Sequence, residues 1–150
     1  MVHTVTINFP GITRLVDYGD SWEKQTPGGE EGYDLYALEI TNLDIPGPKP
    51  AAVIDAGVHS REMTPPEIAM ALVDYLATNY NHDPDVTWLV DHHKIIVLPM
   101  LNPDGHKEAE MGLAWRKNID NDDGCSDPSR WGVDLNRNFY FKWGCCGGSS

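Results

Sequence analysis

Between Ala51 and Met100 the chain sets one long amphipathic stretch between two short apolar runs. Ala51 to Ala56, with Val53 and Ile54 at its centre, is too short for a typical helix and predicts a buried parallel strand. Thr64, Pro65 and Glu67 then mark a helix start: a capping hydroxyl, a proline in the first turn, and a glutamate three residues after the cap to close a capping box. Ile68, Leu72, Tyr75, Leu76 and Tyr80 recur at helical spacing and predict its buried face, and Asn81 with Asp83-Pro84 ends it. Lys94 to Met100, carrying Ile95, Ile96, Val97 and Leu98, predicts a second buried strand, and a strand, helix, strand unit implies a right-handed crossover. Upstream, Thr13 to Tyr18 and Tyr33 to Thr41 predict an antiparallel pair separated by the glycine-rich loop Gly28-Gly29-Glu30-Glu31-Gly32. The fold class is therefore α/β, with a mixed, mainly parallel sheet and flanking helices. In open sheets of this class ligands bind at the carboxyl edge of the strands, which here holds the Gly57 to Glu62 loop and the Asn102-Pro103-Asp104-Gly105 turn.

Composition narrows the function classes. Eleven basic against 23 acidic side chains give a formal charge of −12, which repels phosphate backbones and argues against nucleic acid as a partner. No run approaches the roughly 20 consecutive apolar residues of a membrane span, so no membrane partner is expected. The 150 residues have room for one domain, and no internal repeat interrupts them. Cys125, Cys145 and Cys146 are an odd number of thiols, so one lacks a partner within the chain.

Two residues at the expected ligand edge bear on chemistry. His59 and Glu62 stand three apart in Gly57-Val58-His59-Ser60-Arg61-Glu62, close enough for an imidazole and a carboxylate to share one ion. Zinc accepts both donor types, and a catalytic zinc takes three protein ligands and keeps a position for water. A His and a Glu at this spacing also commonly hydrogen-bond to each other, and that reading stays open for the bare pair, although Glu67 already fills the capping role. Of the other histidines, His92 and His93 precede the second strand, and His3 and His82 lie outside the ligand edge. His106 alone is at that edge, where a turn histidine more often faces solvent. The third ligand is expected beyond Ser150. The run Asp120-Asn121-Asp122-Asp123-Gly124 offers oxygens to calcium but misses the EF-hand register, which favours a solvated acidic loop.

Five motifs in order, Pro10-Gly11-Ile12-Thr13, His59-Ser60-Arg61-Glu62, Asn102-Pro103-Asp104-Gly105, Trp115-Arg116-Lys117-Asn118 and Gly132-Val133-Asp134-Leu135-Asn136-Arg137-Asn138-Phe139, resemble the zinc metallocarboxypeptidases of the carboxypeptidase A and carboxypeptidase T kind over nearly the whole chain. The ending Lys142 to Ser150 looks most like bacterial members. The resemblance implies one zinc ion held by His59 and Glu62, with Asp134 orienting the His59 ring. It implies that Arg116 polarises the scissile carbonyl and stabilises its oxyanion. Asn136 and Arg137 would grip the terminal carboxylate of a peptide or protein substrate, with Arg61 as an accessory arginine in the cleft. Such orienting carboxylates and planar guanidinium forks suit these tasks chemically.

The resemblance also implies a domain about twice this length. Residues 1–150 then form the amino-terminal portion of a single catalytic domain, without the third zinc ligand or the glutamate general base, and with the family's first helix, before Pro10, missing or replaced. A truncated, inactive fragment prone to self-association is the expectation. A secreted, extracellular parent is expected too, although the first ten residues lack the basic start and apolar core of a signal peptide. Two other functions fit parts of the pattern: a zinc deacylase of N-acyl amino acids, like aspartoacylase, which shares the His-x-x-Glu pair, and a non-catalytic carboxylate-binding module.

Overall fold

The computed structural model describes residues 2–26, 31–122, 124–141 and 143–145. The chain divides into two compact units. The first comprises Met1–Tyr18, Tyr36–Ala56 and Thr64–Pro99, and the second Gly19–Leu35, Gly57–Met63 and Met100–Ser150. Residues 28 to 30 of the glycine-rich loop, Asp123 of the acidic run, Lys142 and Cys146 to Ser150 lie outside the described residues.

The first unit is built on a four-stranded sheet in the order β1-β2-β4-β3. Its strands are β1 Thr13–Asp20, β2 Asp34–Ile40, β3 Ala51–Asp55 and β4 Lys94–Leu98, the far ends of β1 and β2 running into the second unit. β3 pairs parallel with β4, placing Val53 opposite Ile96, and β2 pairs antiparallel with β4, placing Leu38 opposite Val97. The sheet is mixed, as the sequence implied, and the strands fall within two residues of their predicted positions.

The expectation of a buried strand at Ala51 to Ala56 needs correction. β3 is the end strand, Ala51 and Ala52 are exposed, and Val53 is 65% exposed. An apolar run encodes a need for burial but not the element that supplies it, and no described residue covers this face.

Helices α3 Thr64–Asn79 and α4 Pro84–His92 fill the crossover between the parallel strands. The predicted α3 face is corrected in part: Leu76 is buried and Leu72 and Tyr80 pack against the core as expected, whereas Ile68 is 63% and Tyr75 51% exposed, and Ala69, Met70, Val73 and Ala77 are buried in their place. The two stripes are about one residue apart on the helix. The large side chains drew the prediction, whereas the buried stripe includes two alanines, Ala69 and Ala77. α4 was not anticipated, because Asp83-Pro84 reads equally as a helix end. Asp83 in fact caps the next helix, its Oδ1 accepting from Asp85 N at 2.8 Å and Val86 N at 3.3 Å, with Pro84 at the first position.

A helix does precede Pro10. α1, Val2–Asn8, has two turns and poor intrinsic propensity, since five of its seven residues are β-branched. Tertiary anchoring decides it: Val5 is buried in the core with Leu38, Ile40, Val73, Val90 and Val97, and Val2 and Phe9 pack against that cluster.

The second unit has little regular structure and is tied by polar side chains. Its helices are α2, Trp22–Gln25, and α5, Pro103–Glu110, with 3₁₀ turns at Pro128–Arg130 and Leu135–Arg137. The expected Asn102-Pro103-Asp104-Gly105 turn is the start of α5: Asn102 Oδ1 accepts from Gly105 N at 3.2 Å, and Pro103 opens the helix. Asp104 is buried, and its two oxygens accept from Ser21 Oγ at 2.7 Å and Glu23 N at 3.0 Å, fixing α2. Among the described residues no helix is long and apolar enough to cross a membrane.

Candidate functional site

In chain order His59 follows β3 by four residues, in the Gly57–Met63 segment of the second unit. Four hydrogen bonds hold that segment open as a loop. Ser60, fully buried, receives nothing from solvent: its N donates to Arg116 O at 3.3 Å and its Oγ to Trp115 O at 2.8 Å. His106 Nδ1 donates to Ser60 O at 3.1 Å, and Asn102 Nδ2 donates to Val58 O at 3.3 Å and Lys117 O at 2.8 Å. His106 is thus a half-buried side chain on α5 that fastens the loop, not a solvent-facing turn histidine. Ser60→Ala removes the part-buried bond from Ser60 Oγ to Trp115 O, which costs about 0.5–1.5 kcal/mol. We expect the chemical-denaturation midpoint to fall accordingly, and an unchanged midpoint would show the Ser60 bonds to be incidental.

A turn closed by Glu62 N donating to His59 O at 3.0 Å brings the Glu62 carboxylate back to the imidazole. His59 lies between two carboxylates: Nδ1 is 2.9 Å from Glu62 Oε1, and Nε2 is 3.2 Å from Asp134 Oδ1. Asp134 arrives from 75 residues further on because Asn118 clamps that segment, its N donating to Val133 O at 3.2 Å and its Oδ1 accepting from Val133 N at 2.7 Å. Asp134 also caps the 3₁₀ turn, accepting from Asn136 N at 3.0 Å, and accepts from Arg116 Nε at 3.0 Å. Arg116 Nη1 lies 3.8 Å from Glu62 Oε1, so one guanidinium spans both carboxylates.

Burial on its own would raise the Asp134 pKa, but the Arg116 guanidinium, the Asn136 N–H and the His59 ring outweigh it and hold the carboxyl below its ordinary value. Asp134 is then an acceptor only at neutral pH, and His59 Nε2 carries the proton between them. That leaves Nδ1 and a Glu62 oxygen as two acceptors 2.9 Å apart, a contact that is favourable only with a proton or a cation between them. The donor set suits zinc, which takes imidazole nitrogen and carboxylate oxygen at about 2.0–2.2 Å. Among the described residues no group of three His, Cys, Asp or Glu side chains is assembled to hold a metal.

The other predicted residues are less engaged. Asn136 and Arg137 are exposed, and Arg137 Nη1 donates to the neighbouring Asn136 carbonyl at 2.9 Å. Arg61 is exposed on the loop. Sequence reasoning singled out the chemistry-bearing side chains but not the positioning roles of Ser60, Asn102, His106 and Asn118, whose bonds to backbone hold them in place. Asn102 had a readable signal, an asparagine before a helix-opening proline.

The fold is that of the carboxypeptidases. Carboxypeptidase A from Helicoverpa armigera superposes with a TM-score of 0.80 at 27% identity, covering 99% of this chain and 34% of that one. A zinc carboxypeptidase from Saccharothrix mutabilis subsp. capreolus is 32% identical over 151 residues, which is 96% of this chain and 31% of the relative. Carboxypeptidase A2 from Rattus norvegicus is 31% identical over 142 residues, 94% of this chain and 31% of the relative. The sequence profile of the zinc carboxypeptidases matches residues 1–150, and the chain belongs to that family. It spans about a third of the length of these relatives.

Proposed function

We propose that this chain supplies part of the active site of a metallocarboxypeptidase, a hydrolase that releases the carboxy-terminal residue of a peptide or protein. The observation that carries the reading is His59 with a carboxylate at each ring nitrogen, at 2.9 and 3.2 Å, which suits a cation on the Nδ1 side and an orienting acceptor on the Nε2 side. His59 and Glu62 would hold zinc together with a third ligand outside residues 1–150. Bound there, zinc would supply Lewis acidity and a water of lowered pKa. With no third donor assembled among the described residues, we further propose that these 150 residues alone bind zinc weakly and turn over no peptide.

The chain's own groups divide the remaining work. Asp134 keeps the His59 ring in its Nε2–H form and fixes its plane. Arg116, tethered to Asp134 through Nε and with Nη1 3.8 Å from Glu62, would turn its guanidinium to the carbonyl oxygen of the scissile bond, where negative charge develops. Arg137 and Asn136 present an exposed guanidinium and amide to the substrate's free carboxylate, which a planar fork binds through both oxygens. Arg61 lines the approach as an accessory cation. This arrangement makes the reaction exopeptidic, since a chain without a free end offers nothing for Arg137 to grip.

The test uses the polypeptide as the cell makes it, assayed on a blocked dipeptide with a free carboxylate and on its amide. Arg137→Ala should lower kcat/KM on the free acid by about 10²-fold, the loss of a charge-assisted bidentate contact of about 3 kcal/mol, and should barely alter turnover of the amide. Equal losses on both substrates would make Arg137 structural and remove the basis for exopeptidase specificity.

A further inference from the structure

Three indole rings of the second unit, Trp22, Trp115 and Trp131, share the wall of a cavity of about 790 Å³ with Glu23, Glu108 and Leu113. None of the site residues above lines it. Its volume falls within the range of small-molecule pockets.

The chemistry of the wall is unusually one-sided. Trp115 Nε1 donates to Asn118 O at 3.0 Å and Trp131 Nε1 to Cys125 O at 2.7 Å, so the single donor of each ring is taken up by backbone. What these two rings offer a ligand is carbon and π surface, held in place before anything binds. Of the twelve described side chains that line the cavity, two are carboxylates and none is basic. Glu23 has a neighbouring cation, Lys107 Nζ at 3.9 Å, whereas Glu108 has no cationic partner among the described residues.

That combination selects among ligands. A neutral apolar guest would desolvate Glu108 with nothing to balance it, and an anion would meet two carboxylates. A metal ion needs several oxygen or nitrogen ligands, more than this wall provides. A guanidinium needs a matching fork of acceptors. An alkylated ammonium needs neither: its charge sits beneath methyl groups, it sheds water easily, and indole faces attract it through their quadrupole. The formal charge of −12 adds a long-range attraction for any cation.

We propose that this cavity binds a small organic cation of the alkylammonium class, with its head between the indoles and Glu108 and its alkyl part against Leu113. The site is independent of the peptidase reading. Its wall nonetheless shares backbone with the other site, since Trp115 faces the cavity and the next residue, Arg116, holds Asp134.

The experiment titrates the chain with choline and with its neutral isostere 3,3-dimethylbutan-1-ol, following the tryptophan side-chain resonances by NMR. Choline should shift Trp22, Trp115 and Trp131 saturably and bind about tenfold more tightly than the isostere, the margin expected of a desolvated cation–π site with a carboxylate. Glu108→Gln should weaken choline severalfold and leave the isostere unchanged. This variant keeps side-chain volume and touches no indole bond, so it reads charge without threatening the fold. Equal affinity for the two probes would reduce the cavity to an apolar hollow. Absence of tryptophan shifts, or indifference of choline binding to Glu108→Gln, would equally overturn the proposal.

Discussion

Gly132→Ala should unfold the second unit or leave it several kcal/mol less stable, although no functional group changes. Gly132 has φ of +87°, a region costly for any side chain, and a Cβ there would overlap the Asn118 carbonyl, with the Asn118 C at 2.8 Å and Lys117 Cβ at 3.0 Å. Those obstacles are mostly backbone and cannot rotate away. The strand-like contact between residues 117–118 and 132–133 must open to admit a methyl group, which breaks the Asn118 clamp and the bond from Gly132 N to Asp120 O at 2.8 Å. Left-handed strain and overpacking together cost roughly 2–5 kcal/mol. Gly112→Ala is the control: its φ is +91° but nothing lies within 4 Å, so only the backbone strain, about 1 kcal/mol, should appear. Thermal unfolding of both variants separates the two contributions. Similar midpoints for the two would mean that the approach of Gly132 to Asn118 is not a constraint on the fold.

Arg116→Ala carries the largest functional effect we expect. In the polypeptide as the cell makes it, losing a donor aimed at a developing oxyanion should lower kcat by about 10²- to 10³-fold with little change in KM. The side chain has a second duty, because its Nε bond to Asp134 helps keep that carboxyl ionised. Arg116→Lys separates the duties. It preserves charge but lacks the fork that reaches Asp134 and a substrate oxygen at once, so it should recover only part of the loss. Full recovery by lysine, or a fall confined to KM, would show that Arg116 acts as a general positive charge and not on the transition state.

The chemistry was more legible than the packing. His59 and Glu62 stood out by residue type and spacing, Arg116 and Asp134 only through the family resemblance, and the structure brings the four together. The bonds that bring them together were not legible. Ser60 meets Trp115 across 55 residues and Asp104 meets Ser21 across 83, and nothing in the local sequence of a buried serine or aspartate names so distant a partner. Helix ends were ambiguous for a different reason. Asp83-Pro84 reads as the end of one helix and Asn102-Pro103-Asp104-Gly105 as a turn, whereas each opens a helix, and those readings hid α4 and α5. For α3, ranking positions by hydrophobic size chose Ile68 and Tyr75 over Ala69 and Ala77, whereas close packing selected the small residues.

On the proposed function, His59 presents Nδ1 to a cation beside Glu62 while its Nε2–H is held by Asp134. Long-range ¹H–¹⁵N NMR of the His59 ring, recorded as zinc is added in excess to the chain, tests it directly, because even a weakly bound ion shifts the nitrogen it touches. Nδ1 should move with zinc and Nε2 should stay protonated throughout, and Glu62→Gln should abolish the Nδ1 response. A zinc-dependent shift at Nε2, or no response of His59 while zinc binds elsewhere in the chain, would contradict the assignment.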